Sequence, residues 1–228
     1  MIELNHVHKV YRGDWVALND VSFAIGKGEF AFIVGPSGAG KSTLLRLLYI
    51  EERPTNGTVV VVGFDTARIK REEIPLLRRK LGVVFQDVKL LPDRNAYENV
   101  AFALEVTGVR RSEVRSRALD ALGAVGMRHK WDALPYQLSA GEQQKVALAR
   151  AIAREPVVLL ADEPTGNIDE DGAREIVGLL ADINARGTAV VMATHDFSIV
   201  EKTSSRVIYL DSGEIRGEER SVGGIGHR

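Results

Sequence analysis

No cysteine occurs anywhere in the 228 residues. That excludes disulfides, cysteine-ligated zinc and thiol catalysis, and it fits a reducing compartment. Long apolar runs are missing too. No stretch approaches the ~18 uninterrupted apolar residues of a membrane span, so any membrane role is expected to be peripheral. The start of the chain carries the acidic Glu3 and no apolar h-region, so no signal peptide is expected. Charge of one sign is also lacking. A net charge of −1 gives no global pull toward nucleic acid. The most basic stretch is Arg68, Lys70, Arg71, Arg78, Arg79 and Lys80, which is broken by Glu72 and Glu73 and holds no aromatic residue for stacking. It reads as a solvated helix face, and no nucleic-acid partner is expected. No internal repeat is visible. The 45% apolar composition is ample for the core of one large domain, or of one core with an insertion.

The most informative segment is Gly35, Pro36, Ser37, Gly38, Ala39, Gly40, Lys41, Ser42 and Thr43. An apolar run, Phe30 to Val34, precedes it, and Leu44, Leu45, Leu47 and Leu48 follow. The pattern is strand, glycine loop, helix, the context a phosphate-binding loop requires. Glycines let the backbone turn several N–H groups onto one phosphate chain. The following helix start adds favourable potential for an anion. Lys41 can reach the β- and γ-phosphates, and the Ser42 hydroxyl can ligate Mg2+.

Residues 1–34 read as strands, with a turn at Gly26 to Gly28, and Thr58 to Val62 is another β-branched run. His6 and His8 alternate on a strand face and read as ordinary strand residues. Pro75 to Lys80 reads as a short helix leading into a strand from Leu81 to Phe85. Helical periodicity holds from about 88 to 153. Asn95 with Glu98 forms a capping pair for a helix that stops at Gly108. A second helix runs from Ser112 to Val125, with Val114, Ala118, Leu122 and Val125 on one face. A third begins after Ser139. Parallel-strand character returns at Val157 to Ala161 and at Ala189 to Ala193, with a helix between them bearing Ile176, Leu179, Leu180 and Ile183. The chain therefore reads as an α/β core interrupted by a helical insert, with a polar, glycine-rich tail from Gly217.

Four further segments bear on chemistry. Asp162 and Glu163 follow an apolar strand, and ligands in open α/β sheets sit beyond the carboxyl ends of strands. Asp162 suits the Mg2+ sphere, and Glu163 suits the water that attacks a γ-phosphate, as base or orienter. His195 reaches the same kind of edge after Ala189 to Thr194, where it can hydrogen-bond a γ-phosphate oxygen or the water. Gln86 does so after Phe85, where its amide oxygen can ligate Mg2+. Finally, Ser139, Ala140, Gly141 and Glu142 open a helix. Ser139 and Glu142 have capping-box spacing, and the same helix start can serve as a second phosphate site. Both readings can hold at once. A second phosphate site is useful if it serves another subunit.

In this order the segments resemble the ATP-binding cassette (ABC) ATPases over nearly the whole chain. The resemblance makes Gly35 to Thr43 the Walker A loop, Gln86 the Q-loop glutamine and Leu138 to Gln143 the signature. It makes Asp162 and Glu163 the end of Walker B, Gly166 to Asp169 the D-loop, His195 the switch histidine and Tyr11 an adenine-stacking aromatic. Ala140 departs from the family, which usually has glycine there; Glu142 stands where glutamine is commoner.

The implied fold is α/β: a P-loop NTPase core of ABC type with an N-terminal antiparallel β-subdomain and an inserted α-helical subdomain. The core and β-subdomain fall in 1–87 and 154–216, the helical subdomain in 88–153 and a flexible tail in 217–228. The implied activity is hydrolysis of ATP, with Mg2+, in an ATP-dependent homodimer whose signature serine acts in trans. The nearest pattern is the cell-division branch of the family, carried by Val84 to Asp87, Leu90 to Arg94 and Tyr97 to Phe102. That branch implies an integral membrane partner of the FtsX type, a cytoplasmic protein held peripherally at the inner face of the membrane, and control of peptidoglycan hydrolysis. The alternative is the ATPase of a lipoprotein-releasing or macrolide-export transporter. Apolar residues around Val88, Leu90 and Leu91 would serve partner docking or simple core packing.

Overall fold

The computed structural model describes residues 1–201 and 205–220. The first elements are β1 (Ile2–Tyr11), β2 (Trp15–Ile25), β3 (Phe30–Val34), α1 (Lys41–Leu48), β4 (Asn56–Val61), β5 (Phe64–Asp65), α2 (Ile74–Arg78) and β6 (Leu81–Val84). Helices α3 (Ala96–Val106), α4 (Arg111–Ala124) and α5 (Ala140–Ile152) follow, with two 3-10 turns, Arg128–Lys130 and Pro135–Gln137, before α5. The rest is β7 (Val158–Asp162), α6 (Glu170–Ala185), β8 (Ala189–Thr194), α7 (Phe197–Glu201), β9 (Arg206–Asp211) and β10 (Glu214–Arg220). The chain divides into two compact units, one of Met1–Arg78 with Ala189–Arg228, the other of Arg79–Thr188.

The first unit holds an antiparallel sheet ordered β2-β1-β4-β5. Alternation along β1 buries Ile2 and Leu4 and exposes Glu3 and Asn5. The register then shifts between Leu4 and Val7, where His6 takes a φ of 48°, so that Val7 is again buried. That irregularity is a β-bulge, which re-aims the strand without losing its core face. The same unit carries β3 between β8 and β9, parallel to both, with β10 antiparallel on β9. Strands β3 and β8 are buried almost throughout, as expected of parallel strands covered on both faces. Helix α1 ends under Arg78, whose guanidinium donates to the carbonyls of Tyr49 (3.2 Å) and Ile50 (2.8 Å).

In the second unit β6 pairs in parallel with β7. Gly82 lies where a Cβ would stand 2.6 Å from the Ala151 carbonyl, so α5 crosses β6 closely only because this residue is glycine. The apolar face expected for the second helix is buried, with Val114, Ala118 and Leu122 in α4; in α5 Val146 and Ala149 are buried while Ile152 is half-buried. In α6 the buried row is Ile176, Val177, Leu180 and Ile183, with Leu179 only half-buried.

Asn95 caps α3 in a reciprocal capping box with Glu98. Fully buried Asn99 fastens the preceding loop. Its amide nitrogen donates to the carbonyls of Leu91, Arg94 and Asn95, and its oxygen accepts from Leu91 N–H at 2.7 Å. Asn99→Ala is expected to strand those groups and cost about 2 kcal/mol. In thermal unfolding that is a Tm lower by roughly 4–8 °C.

One expectation is revised. The segment from Gly217 is not all tail: β10 runs to Arg220, and 221–228 lie outside the described residues. Helices α3, α4 and α5 fall in one compact unit with β6, β7 and α6.

Candidate active site

In the first unit, Val34 pairs with Thr194, so Gly35 and His195 leave neighbouring parallel strands at the same level. The loop between β3 and α1 is held tightly. A Cβ on Gly35 would lie 1.9 Å from the Leu210 carbonyl oxygen. Gly40 caps α1 with a φ of 105°, and a Cβ there would meet the Ala17 carbonyl at 2.5 Å. The turn between β9 and β10 braces the loop from behind: Gly213 N–H donates to the Ala39 carbonyl (3.0 Å), and Asn19 N–H donates to the Gly213 carbonyl (2.8 Å). No acid sits in the first turn of α1 and no side chain caps it, which keeps the positive helix end suited to an anion. Lys41 is buried. Its ammonium donates to the carbonyls of Gly35 (2.8 Å) and Pro36 (3.0 Å), which folds it back along the loop it serves.

His195 stands exposed on a turn stiffened by its neighbours. Asp196 N–H donates to Thr194 Oγ1 (3.0 Å), and Asp196 Oδ1 accepts from the Ser198 N–H (2.9 Å) and hydroxyl (2.7 Å). The Ser198 hydroxyl, and then the N–H groups of Ser198 and Ile199 and the nearby His195, hold the Asp196 carboxyl below its usual range. Tyr11 faces Trp15 across the β1–β2 hairpin, and the two rings stack with centroids 5.2 Å apart.

In the second unit, Val84 pairs with Ala161, so Gln86 and the Asp162–Glu163 pair leave at one edge. Gln86 and Glu163 line a common cavity of about 520 Å³, together with Val88, Leu90, Ala140 and Gln143. Val88, Leu90 and Leu91 are half-buried, not openly exposed. Glu163 holds a φ of 44°, a left-handed conformation that costs a non-glycine residue roughly 1–2 kcal/mol. Such strain at a candidate site is consistent with a side chain held in one aim. Asp169 serves as the N-cap of α6, accepting from Gly172 N–H at 2.9 Å.

The Ser139 helix start has the geometry its spacing implies. Ser139 Oγ accepts from Glu142 N–H (3.3 Å), and Glu142 Oε2 accepts from Ser139 N–H (3.0 Å). The exposed Ala140 sits at the first helical position, where its methyl is accommodated. Ser139, Ala140, Gly141, Glu142 and Asp169 share a second cavity of about 430 Å³.

Three supports carry no local sequence signal. The Ser212–Gly213 turn reaches Ala39 only through the sheet. Lys130 donates to Glu142 Oε1 at 2.6 Å. Arg150 donates to the carbonyls of Lys89 (2.6 Å) and Val88 (2.8 Å), two consecutive residues with a φ of 49°.

The family description "ABC transporter" matches residues 18–166. The cell division ATP-binding protein FtsE of Bacillus subtilis is 51% identical over 96% of each chain. Its namesakes in Mycobacterium tuberculosis (48%, 99% of each chain) and Escherichia coli (45%, 100% of each) match end to end. Among solved structures, a dimeric bacterial ABC transporter cassette superposes with a TM-score of 0.89 at 39% identity, covering 98% of this chain and 100% of that one. A dimeric post-hydrolysis cassette bound to ADP and Pi gives 0.88 at 38% identity, with the same coverage. With a family description matching residues 18–166 and relatives matching its full length, the chain belongs to the ATP-binding cassette family of ATPases.

Proposed function

We propose that this ATPase is the nucleotide-hydrolysing subunit of a membrane complex acting in cell division, and that ATP-driven closing of a homodimer is its working stroke. The observation that carries the proposal is end-to-end identity of 45–51% with relatives named as cell division ATP-binding proteins. This favours the division reading over a lipoprotein or macrolide exporter. No helix among the described residues is long and apolar enough to cross a membrane. The complex therefore needs an integral partner, in this reading of the FtsX type, holding the protein peripherally at the inner face of the membrane. The cavity beside Val88 and Leu90 is the proposed docking place, and control of peptidoglycan hydrolysis is the proposed output.

The chemistry assigns a task to each residue. The loop N–H groups from Gly35 to Thr43 bind the phosphates, and Lys41 exchanges its carbonyl partners for β- and γ-phosphate oxygens. Tyr11 stacks on the adenine. Ser42, Asp162 and Gln86 each bear an oxygen of the kind Mg2+ prefers as a ligand. Among the described residues no cluster of three or more His, Asp or Glu side chains could hold a metal alone, which matches an ion carried largely by substrate phosphates. When bound, Mg2+ supplies neutralising charge on the phosphates. Glu163 orients the attacking water in line with the γ-phosphate and takes up its proton, and His195 steadies the γ-phosphate. Ser139, Gly141 and Asp169 of one subunit complete the site of the other. Hydrolysis to ADP and phosphate removes the group that both subunits hold, and the dimer loosens.

Mixing two inactive variants tests the shared site. A dimer of one Ser139→Arg subunit and one Lys41→Ala subunit keeps one intact site, because both lesions fall in the other. Each parent alone is expected to be inactive. The mixed dimer is expected to turn over at roughly half the wild-type rate or less, since a two-fold dimer has two equal sites. Mixed dimers at the full rate, or an active Ser139→Arg parent, would overturn the proposal.

A further inference from the structure

Glu142 poses an electrostatic problem. As an acid in the first turn of α5 it favours the helix, through the capping box and the helix dipole. The same helix start is proposed to meet a phosphate, and there a carboxylate repels. Its surroundings add to the difficulty. The cavity beside Ser139 is lined by four carboxylates, Glu142, Asp169, Asp171 and Glu175, and by one ammonium, Lys145. Lys145 is engaged by Glu175 at 2.5 Å.

We infer that Lys130 is a positioning residue for the signature segment: its ammonium neutralises Glu142 and holds the carboxylate against Ser139, so that the helix start can accept a partner subunit's phosphate. The geometry is a chain of three groups. Lys130 Nζ lies 2.6 Å from Glu142 Oε1, while Glu142 Oε2 takes the Ser139 N–H at 3.0 Å. Ser139 Oγ in turn accepts the Glu142 N–H, which leaves the hydroxyl proton available to donate elsewhere. Lys130 is carried on the 3-10 turn Arg128–Lys130, outside α5, so the pair also ties the turn to the helix. The carboxyl of Glu142 is held below its usual range first by Lys130 and then by the Ser139 N–H, so Lys130 favours its charged form. The family's commoner glutamine would carry no such charge. Glutamate therefore makes this chain dependent on the lysine.

The inference rests on the composite-site reading, and one experiment separates the two. ATP-dependent dimerisation of the full chain is measured by sedimentation in a Glu163→Gln background, at low ionic strength, with binding of a fluorescent ATP analogue to the monomer measured alongside. Lys130→Met is expected to weaken dimerisation about tenfold, the scale of one uncompensated charge beside a phosphate. Monomer binding should stay unchanged, Lys130→Arg should restore dimerisation, and the defect should shrink near 1 M salt, where the screening length is about 3 Å. Combined with Glu142→Gln, Lys130→Met should cost less than about twofold, since the charge it answers is gone. A tenfold loss that persists with Glu142→Gln, or no loss in the native background, would overturn the role of Lys130. Dimerisation that survives Ser139→Arg would instead overturn the shared site itself.

Discussion

Glu163→Gln is expected to leave a protein that binds ATP, dimerises and barely turns over. Glutamine matches glutamate in shape and can still hydrogen-bond a water, but it cannot take a proton. General-base catalysis contributes roughly 10²–10⁴-fold, and kcat should fall by about that factor. Loss of the γ-phosphate is what opens the dimer in the proposed cycle, so the variant should accumulate as an ATP-bound dimer. Phosphate release measures the first effect and sedimentation with ATP the second. Turnover within a few-fold of wild type would remove Glu163 from the base role. The backbone offers an independent check. Because Glu163 sits at a φ of 44°, Glu163→Gly is expected to relieve about 1 kcal/mol of strain while abolishing turnover. A more stable but inactive protein is the signature of a residue kept for chemistry at a cost in stability.

The second large effect is structural. A Cβ on Gly35 would sit 1.9 Å from the Leu210 oxygen, 3.0 Å from its carbonyl carbon and 3.2 Å from the Ala39 Cβ. The first two are backbone atoms of β9, which cannot rotate away. Gly35→Ala must push β9 from β3 or distort the loop, and is expected to cost about 3 kcal/mol or more. For a chain of this size that is a Tm lower by roughly 6–12 °C. ATP binding should fall with it, because the displaced N–H groups are the ones aimed at phosphate. Gly38 is the control: it has a φ of 83° but nothing within 4 Å of a Cβ. Gly38→Ala should therefore cost only the left-handed strain, about 1–2 kcal/mol. Thermal unfolding separates the two. A Gly35→Ala midpoint within about 2 °C of Gly38→Ala would mean that β9 yields easily.

Local segments were legible because their physics is local. The Ser139 and Asn95 caps appear where a serine or asparagine stands three residues before a glutamate, since both hydrogen bonds of a capping box close within one turn. Strands β7 and β8 were legible because strands buried on both faces leave unbroken apolar runs. Strands β9 and β10 were not read at all. Neither shows clean alternation, and Glu218, Glu219 and Arg220 lie exposed at the sheet edge. The apolar residues near Val88 read equally as a docking place or as core, and the sequence did not show that the loop is fastened both by nearby Asn99 in α3 and by Arg150, some sixty residues away in α5.

By itself the sequence determined the family and the reaction and marked the candidate residues, because each motif is a short segment whose chemistry depends on neighbours a few positions away. The tertiary structure decided what holds those segments in place. Only pairing between β3 and β8 sets His195 level with Gly35, and only the β9–β10 turn braces Ala39. Only the turn at 128–130 brings a lysine to Glu142. These supports join residues beyond the span of any one element, and their partners are backbone carbonyls or single charges. A carbonyl is the same at every position and a lone lysine has no pattern, so nothing in the local sequence marks them.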